Sequence, residues 1–172
     1  MNKKTLIIII ASVIAVALIA TAAIVILSKS FSKKDNDTSS GIIASDAVIT
    51  VGTVKGEVGK KVSVPVSIKN NPGIMAMLLE FKYDNAVLKY KGYTQGDFLT
   101  EYQFNDDNGT LRFLNLEDGN VKKDGVLVNL EFEILTKTDK TDITINVADD
   151  AIANYNQDLI AVKGVNGEVK IK

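Results

Sequence analysis

The stretch from Lys61 to Leu88 limits what this chain can become more than any other part of it. Val62, Val64, Val66 and Ile68 share one parity, separated by Ser63, Pro65 and Ser67. After Asn71-Pro72-Gly73 the alternation resumes with Met75, Met77, Leu79, Phe81 and Tyr83, and Val87 and Leu88 complete it. Successive side chains of a strand leave on opposite faces, so a period of two marks strands with one side in a core. Asn-Pro-Gly between two such runs reads as a turn.

The same period governs the rest of the chain beyond residue 46, and no segment there carries a convincing helical stripe. Strands are expected near 47–54, 61–69, 74–83, 86–93, 100–106, 110–117, 125–135, 142–148 and 159–171. Asn108-Gly109 is the strongest hairpin signal, because a tight type I′ turn needs positive φ at both central residues. Asp118-Gly119, Asp124-Gly125 and Asn166-Gly167 mark further turns or bulges. Pro65 has no N–H for a ladder, which predicts an edge position for its strand. Many short antiparallel strands with Gly, Asn and Asp turns imply an all-β sandwich. About 125 residues in one such unit suffice for a core without disulfides.

Four segments carry a family resemblance in register. They are Val62 to Leu88, Phe113-Leu-Asn-Leu-Glu-Asp118, Lys123-Asp-Gly-Val-Leu-Val-Asn-Leu-Glu-Phe132 and Val165-Asn-Gly-Glu-Val-Lys-Ile171. From Ala47 to Ile171 the chain resembles a cohesin domain, the receptor module of cellulosome scaffolds. The resemblance implies a nine-stranded jelly-roll sandwich at 47–172 that binds a dockerin module without covalent chemistry. It also implies that the dockerin lies across one sheet face, on outward residues of the strands at 74–83, 100–106 and 110–117. Those residues here are Ala76 and Leu78, then Glu101, Gln103 and Asn105, then Arg112, Leu114 and Glu117. Strand parity puts the same residues outward, with Met75, Met77, Leu79, Phe81, Tyr102, Phe104, Leu111 and Phe113 opposite.

Two positions depart from the best-known cohesin type, which would place Asn and Asp at Ala76 and Leu78. An apolar centre there implies a partner bound more by hydrophobic contact. Asn115 stands where the family buries an apolar residue, so a bulge that changes the parity is expected nearby. The resemblance implies calcium in the dockerin, with no cofactor or metal in this chain.

Composition excludes much else. The chain has no Cys, His or Trp. Without imidazole or thiolate there is no Ser-His-Asp or Cys-His nucleophile and almost no route to a zinc site. From Asp35 onward the net charge is −6, which argues against nucleic acid as a ligand. Sugar-binding modules, which share the sandwich, stack sugars on exposed rings. Only Tyr90, Tyr93, Phe98 and Tyr155 lie off the buried parity, and they imply no planar strip. Direct polysaccharide binding is therefore not expected, and scattered outward carboxylates read as solvation rather than a glycosidase pair. Asn105-Asp-Asp-Asn-Gly109 lacks the spacing of a calcium loop and reads as a hairpin.

Leu6 to Leu27 is an uncharged run of 22 residues. As a helix it would span about 33 Å, close to the hydrocarbon core of a bilayer. The expectation is a single transmembrane helix at 6–27 after a cytoplasmic segment at 1–5, with a flexible stalk at 28–46 rich in Ser, Lys, Asp and Asn. The β domain is then extracellular at the cell membrane. The alternative is a secreted protein, cleaved after Ala20-Thr21-Ala22. Ile24 to Leu27 favours the anchor, since cleavage would leave those apolar residues at a mature N-terminus. Lys3 and Lys4 on one side and Lys29, Lys33 and Lys34 on the other leave orientation open on charge alone.

Overall fold

The computed structural model describes residues 42–172, and the expected transmembrane helix and residues 28–41 of the stalk lie outside them. Twelve strands follow one another: β1 (Val48–Val51), β2 (Val54–Gly56), β3 (Lys61–Lys69), β4 (Ile74–Tyr83), β5 (Leu88–Gln95), β6 (Tyr102–Asp107), β7 (Thr110–Val121), β8 (Gly125–Ile134), β9 (Lys140–Asn146), β10 (Ile152–Ala153), β11 (Lys163–Val165) and β12 (Gly167–Ile171). They form a five-stranded sheet, in the order β11-β1-β3-β8-β5, and a seven-stranded sheet in the order β2-β12-β9-β4-β7-β6, with β10 beside β4. Among the described residues no helix is long and apolar enough to cross a membrane.

The core is what the alternation demands. Val62, Val64, Val66 and Ile68 of β3 face Met77, Leu79 and Phe81 of β4 in one buried cluster, joined by Leu111, Phe113, Leu130 and Phe132. All nine expected segments contain strands, but two are broken where the chain changes sheets. The run 47–54 divides at Gly52-Thr53, between β1 in one sheet and β2 in the other. Likewise 159–171 divides at Asn166, between β11 and β12. The two-residue β10 was not expected, since two residues show no period.

Pro65 corrects the edge expectation: β3 lies inside its sheet, between β1 and β8. The missing donor is nonetheless accommodated. In an antiparallel ladder a residue's N–H and C=O point to the same neighbour. Pro65 O accepts from Gly52 N at 2.7 Å, so its nitrogen faces the β1 side, just beyond the last paired residue, Val51.

Three parity expectations are also revised. The β4–β7 register shifts between Ile74 and Ala76, opposite Leu116 to Val121, so Ile74 is buried and Met75 only half-buried. That shift lies at Asp118-Gly119, a marked turn-or-bulge site. No bulge occurs at Asn115, which pairs with Met77 and keeps the buried parity at 1% exposure. Tyr102 and Phe104 point inward but remain half-buried, because β6 is the rim of its sheet.

That rim is closed by rings. Phe104 stacks on Tyr93 of β5 at 4.5 Å between centroids and meets Phe113 at 5.1 Å. Tyr102 lies 5.7 Å from Phe113 and donates its hydroxyl to Leu127 O at 2.8 Å. Such pairs add about 0.5–1.5 kcal/mol beyond their area. They tie the edge strands β5 and β6 together, which fixes the side that β6 turns outward. Asn108 and Gly109, with φ of 47° and 98°, form the expected tight hairpin between β6 and β7.

Contacts to the sandwich begin before residue 47. Ile43 N donates to Leu159 O at 2.8 Å, and Ile43 O accepts from Ala161 N at 2.9 Å. Ser45 Oγ donates to Ala161 O at 2.5 Å. The last residues of the expected stalk are therefore tied to the sandwich.

Candidate functional site

The outer face of the seven-stranded sheet is read from its pairings. Leu78 of β4 sits opposite Leu114 of β7, and Leu114 opposite Gln103 of β6. In the next row on one side, Glu80 pairs with Arg112 and Arg112 with Asn105. In the row on the other side, Ala153 of β10 pairs with Ala76, and Ala76 with Leu116. Rows on one face of a sheet lie about 6.6 Å apart and strands about 4.8 Å apart. Six of the eight expected residues, Ala76, Leu78, Gln103, Asn105, Arg112 and Leu114, thus form one contiguous patch.

Its centre is apolar. Leu78 is 50% exposed, although outward positions of a solvated sheet are ordinarily polar. Leu114, Leu116 and Ala76 are half-buried around it. Backbone pairing holds Leu78 rigidly, since its N–H donates to Ala151 O at 2.8 Å where β10 replaces β9 beside β4. Polar groups bound the patch. Arg112 Nε lies 3.3 Å from Glu80 Oε2, with Lys82 at 3.7 Å from Glu80 Oε1, while Gln103 and Asn105 are exposed.

Glu101 and Glu117 are placed differently. Glu101 precedes the first residue of β6, and its carbonyl accepts from Asn115 Nδ2 at 2.8 Å. Glu117 turns to the same segment. Its Oε1 accepts from Thr100 N at 2.8 Å and from Asn115 Nδ2 at 2.8 Å, and its Oε2 accepts from Thr100 Oγ1 at 2.7 Å. Burial raises the affinity of Glu117 for a proton, but these bonds together with Glu101 N outweigh it. The carboxyl is held below its ordinary range. Glu117 therefore fixes the start of β6, while the buried Asn115 that links it keeps an unpartnered Oδ1.

Sequence reasoning missed Leu116 and Ala153 at this face. The parity of Arg112 and Leu114 was enough to find Leu116. Ala153 carried no signal, because its strand is too short to show a period. Of the four aromatic residues expected off the buried parity, two are corrected. Tyr90 and Tyr93 pair with the buried Phe132 and Leu130 across a bulge in β5 and so face inward, Tyr93 lying on Phe104, while Phe98 is packed against the core. Tyr155 is the most exposed, at 61%. No planar aromatic strip is formed among the described residues.

A two-sheet sandwich with one outer face apolar at its centre and rimmed by polar and charged groups has the form of a protein-binding module. A family model for the cohesin domain matches residues 47–171, and the chain belongs to the cohesin family. Cohesin domains are protein-interaction modules rather than enzymes. Over 126 residues the chain is 33% identical to cellulose-binding protein A of Clostridium cellulovorans; the match takes in 65% of this chain and 7% of that protein's length. The fold is similar to the seventh ScaB type I cohesin of Pseudobacteroides cellulosolvens (TM-score 0.70, 20% identity, 76% of this chain and 94% of that one). It is also similar to a chain of the type I cohesin–dockerin complex of OlpA and Doc918 from Clostridium thermocellum (TM-score 0.67, 25% identity, 73% and 99%).

Proposed function

We propose that this chain is a cell-surface cohesin that binds a dockerin-bearing protein on the outer face of its seven-stranded sheet. In that role it tethers polysaccharide-degrading enzymes or a scaffold in a cellulosome-type assembly. The observation that carries the reading is the paired, outward Leu78 and Leu114 at the centre of that face, in a chain of this family. The patch supplies an apolar centre that docking would desolvate and a polar rim, the anatomy of a specific protein interface. Catalysis is no part of the role, and the calcium belongs to the dockerin. Leu6 to Leu27 acts as the anchor, with the sandwich outside the cell; its uninterrupted apolar run supports this.

Calorimetric titration of the full chain with a panel of purified dockerins, with calcium and with chelator, tests the binding. A saturable one-to-one complex that needs calcium is expected, and a panel without any binder would sink the reading. Fractionation of intact and protease-shaved cells tests the anchor. Protein accumulating in the medium with an N-terminus near Ala23 would replace the anchor with a cleaved signal.

A further inference from the structure

We infer that Tyr155 is a specificity-determining contact at the rim of this same face, taking an aliphatic side chain of the docked protein. The inference rests on the dockerin reading and adds a residue that neither strand parity nor the family register supplied. Tyr155 is more exposed than Leu78, at 61% against 50%. Its position follows from two pairings. Ala153, two residues earlier, lies in the row with Ala76 and Leu116. Val121 pairs with the buried Ile74, so the adjacent Asn120 falls on the outward parity of β7. Asn120 Oδ1 accepts the Tyr155 N–H at 2.6 Å. The tyrosine backbone is thereby fixed at the end of β7, continuous with the apolar rows.

The loop is built to hold that position. Asn154 N donates to Asp158 O at 3.1 Å, and Gln157 N to Asn154 O at 3.1 Å. The side chains close the loop a second time, with Asn154 Nδ2 to Asp158 Oδ2 at 2.9 Å and Asp158 N to Asn154 Oδ1 at 3.0 Å. A tyrosine on an ordered loop presents a large contact area and loses little conformational entropy on binding. The leucines at the centre give apolar attraction that many partners can meet. A ring at the rim is satisfied only by a partner whose surface reaches it, which makes it a selector.

The test uses the full chain, a panel of purified calcium-loaded dockerins, and calorimetry with the one that binds. Tyr155→Ala should weaken that dockerin by at least about tenfold, as expected for an aromatic hot spot. Tyr155→Phe should stay within about threefold, since the ring supplies most of the contact. Melting temperatures should not move, because the side chain is exposed. Asn120→Ala, which keeps the ring but frees the loop, should give a smaller loss. Unchanged binding by Tyr155→Ala, with Leu78→Asp still defective, would overturn this inference and leave the dockerin reading standing. A panel with no binder to the unaltered chain would remove both. Affinity electrophoresis in xylan and β-glucan is the remaining arm: retardation abolished by Tyr155→Ala would assign the ring to carbohydrate and overturn the inference.

Discussion

The two sheets share one core but turn different faces to solvent. On the five-stranded sheet the outward positions are mostly polar, with Val48, Pro65 and Val126 set among charged and amide side chains. Glu133 pairs with Lys61 on one side and Lys89 on the other, and Pro65 and Thr94 flank Asn129. Ser63 Oγ donates to Glu131 Oε1 at 2.6 Å. The seven-stranded sheet begins in the same style, with Lys140 2.8 Å from Glu168 and Lys170 at 3.2 Å from that carboxylate. Beyond β9 it departs from it, at Leu78, Leu114 and Leu116. Both inward faces are built mainly of buried apolar side chains, with Asn115 and Thr141 as the buried polar residues of the seven-stranded sheet. The core alone therefore does not account for apolar residues on that sheet's outer side. An outer leucine at 50% exposure gains little from the sandwich itself, and its gain must come from something that covers it.

The contrast between inward and outward on β4 can be broken most severely at Phe81. Its side chain is fully buried, three residues along the strand from Leu78. Phe81→Asp puts an unpaired carboxylate in the core and removes a large apolar side chain, each worth several kcal/mol. The domain should fail to fold, seen as loss of the cooperative thermal transition. Leu78→Asp should do the reverse. No core cavity forms, so the melt should hardly change, while dockerin affinity falls by well over tenfold, with about 1.4 kcal/mol to each decade. Asn129→Asp, on the outer face of the other sheet, should leave affinity within about twofold, as a rim or off-site charge does. If Asn129→Asp abolishes docking and Leu78→Asp does not, the assignment of faces is reversed.

Much of this was legible because the side-chain period of a strand has only two phases. Val62 to Ile68 set the phase of β3, and Leu79 and Phe81 that of β4, so Leu78 had to face out. What periodicity could not reveal is where a ladder slips or ends. The shift opposite Asp118-Gly119 buried Ile74 in place of Met75, and only the length of β7, running on to Val121, makes that shift visible. Pro65 was legible as a missing donor but not as a strand placement, since its need is met by the local end of β1. Glu117 shows a different limit. Parity says which side a carboxylate leaves from, not whether a backbone N–H two strands' ends away will claim it. The loop that presents Tyr155 has no period at all, and its position depends on its own Asn154–Asp158 closure and on the bond to Asn120.

Glu117 offers a finer probe of the apolar face, because it secures the strand that carries Gln103 and Asn105. Its carboxyl is held below the ordinary range in the fold. A depressed acid contributes stability that is present above its unfolded value, near pH 4.3, and is lost as pH falls through the folded value. Glu117→Gln should cost on the order of 1 kcal/mol at neutral pH, given charge-assisted bonds on a partly exposed group. The difference should shrink as the medium is acidified, until the two melting curves coincide below the folded value. A gap that stays constant with pH would mean that shape rather than charge holds the segment. Docking should weaken by less than in Leu78→Asp, since the apolar centre is untouched.

The smallest effect should come from the face that differs most from the docking face. Glu133 lies between Lys61 and Lys89 on neighbouring strands, and its Oε2 is 3.4 Å from Lys91 Nζ, with both side chains about one-third exposed. So many cations around one carboxylate suggest a strong cluster, but exposed pairs are screened by water and salt and give about 0.2–1 kcal/mol. Glu133→Gln keeps the shape, removes the charge, and leaves three lysines with one fewer counter-charge. The expected cost is about 0.5 kcal/mol or less, a shift of roughly 1–3 °C in melting temperature, fading in 0.5 M salt as the Debye length shortens. Dockerin affinity should not change at any salt concentration, because the charge lies on the opposite side of the sandwich. A salt-dependent loss of docking in Glu133→Gln would show that the polar face steers or contacts the partner. Docking would then involve both outer faces rather than the leucine-centred face alone.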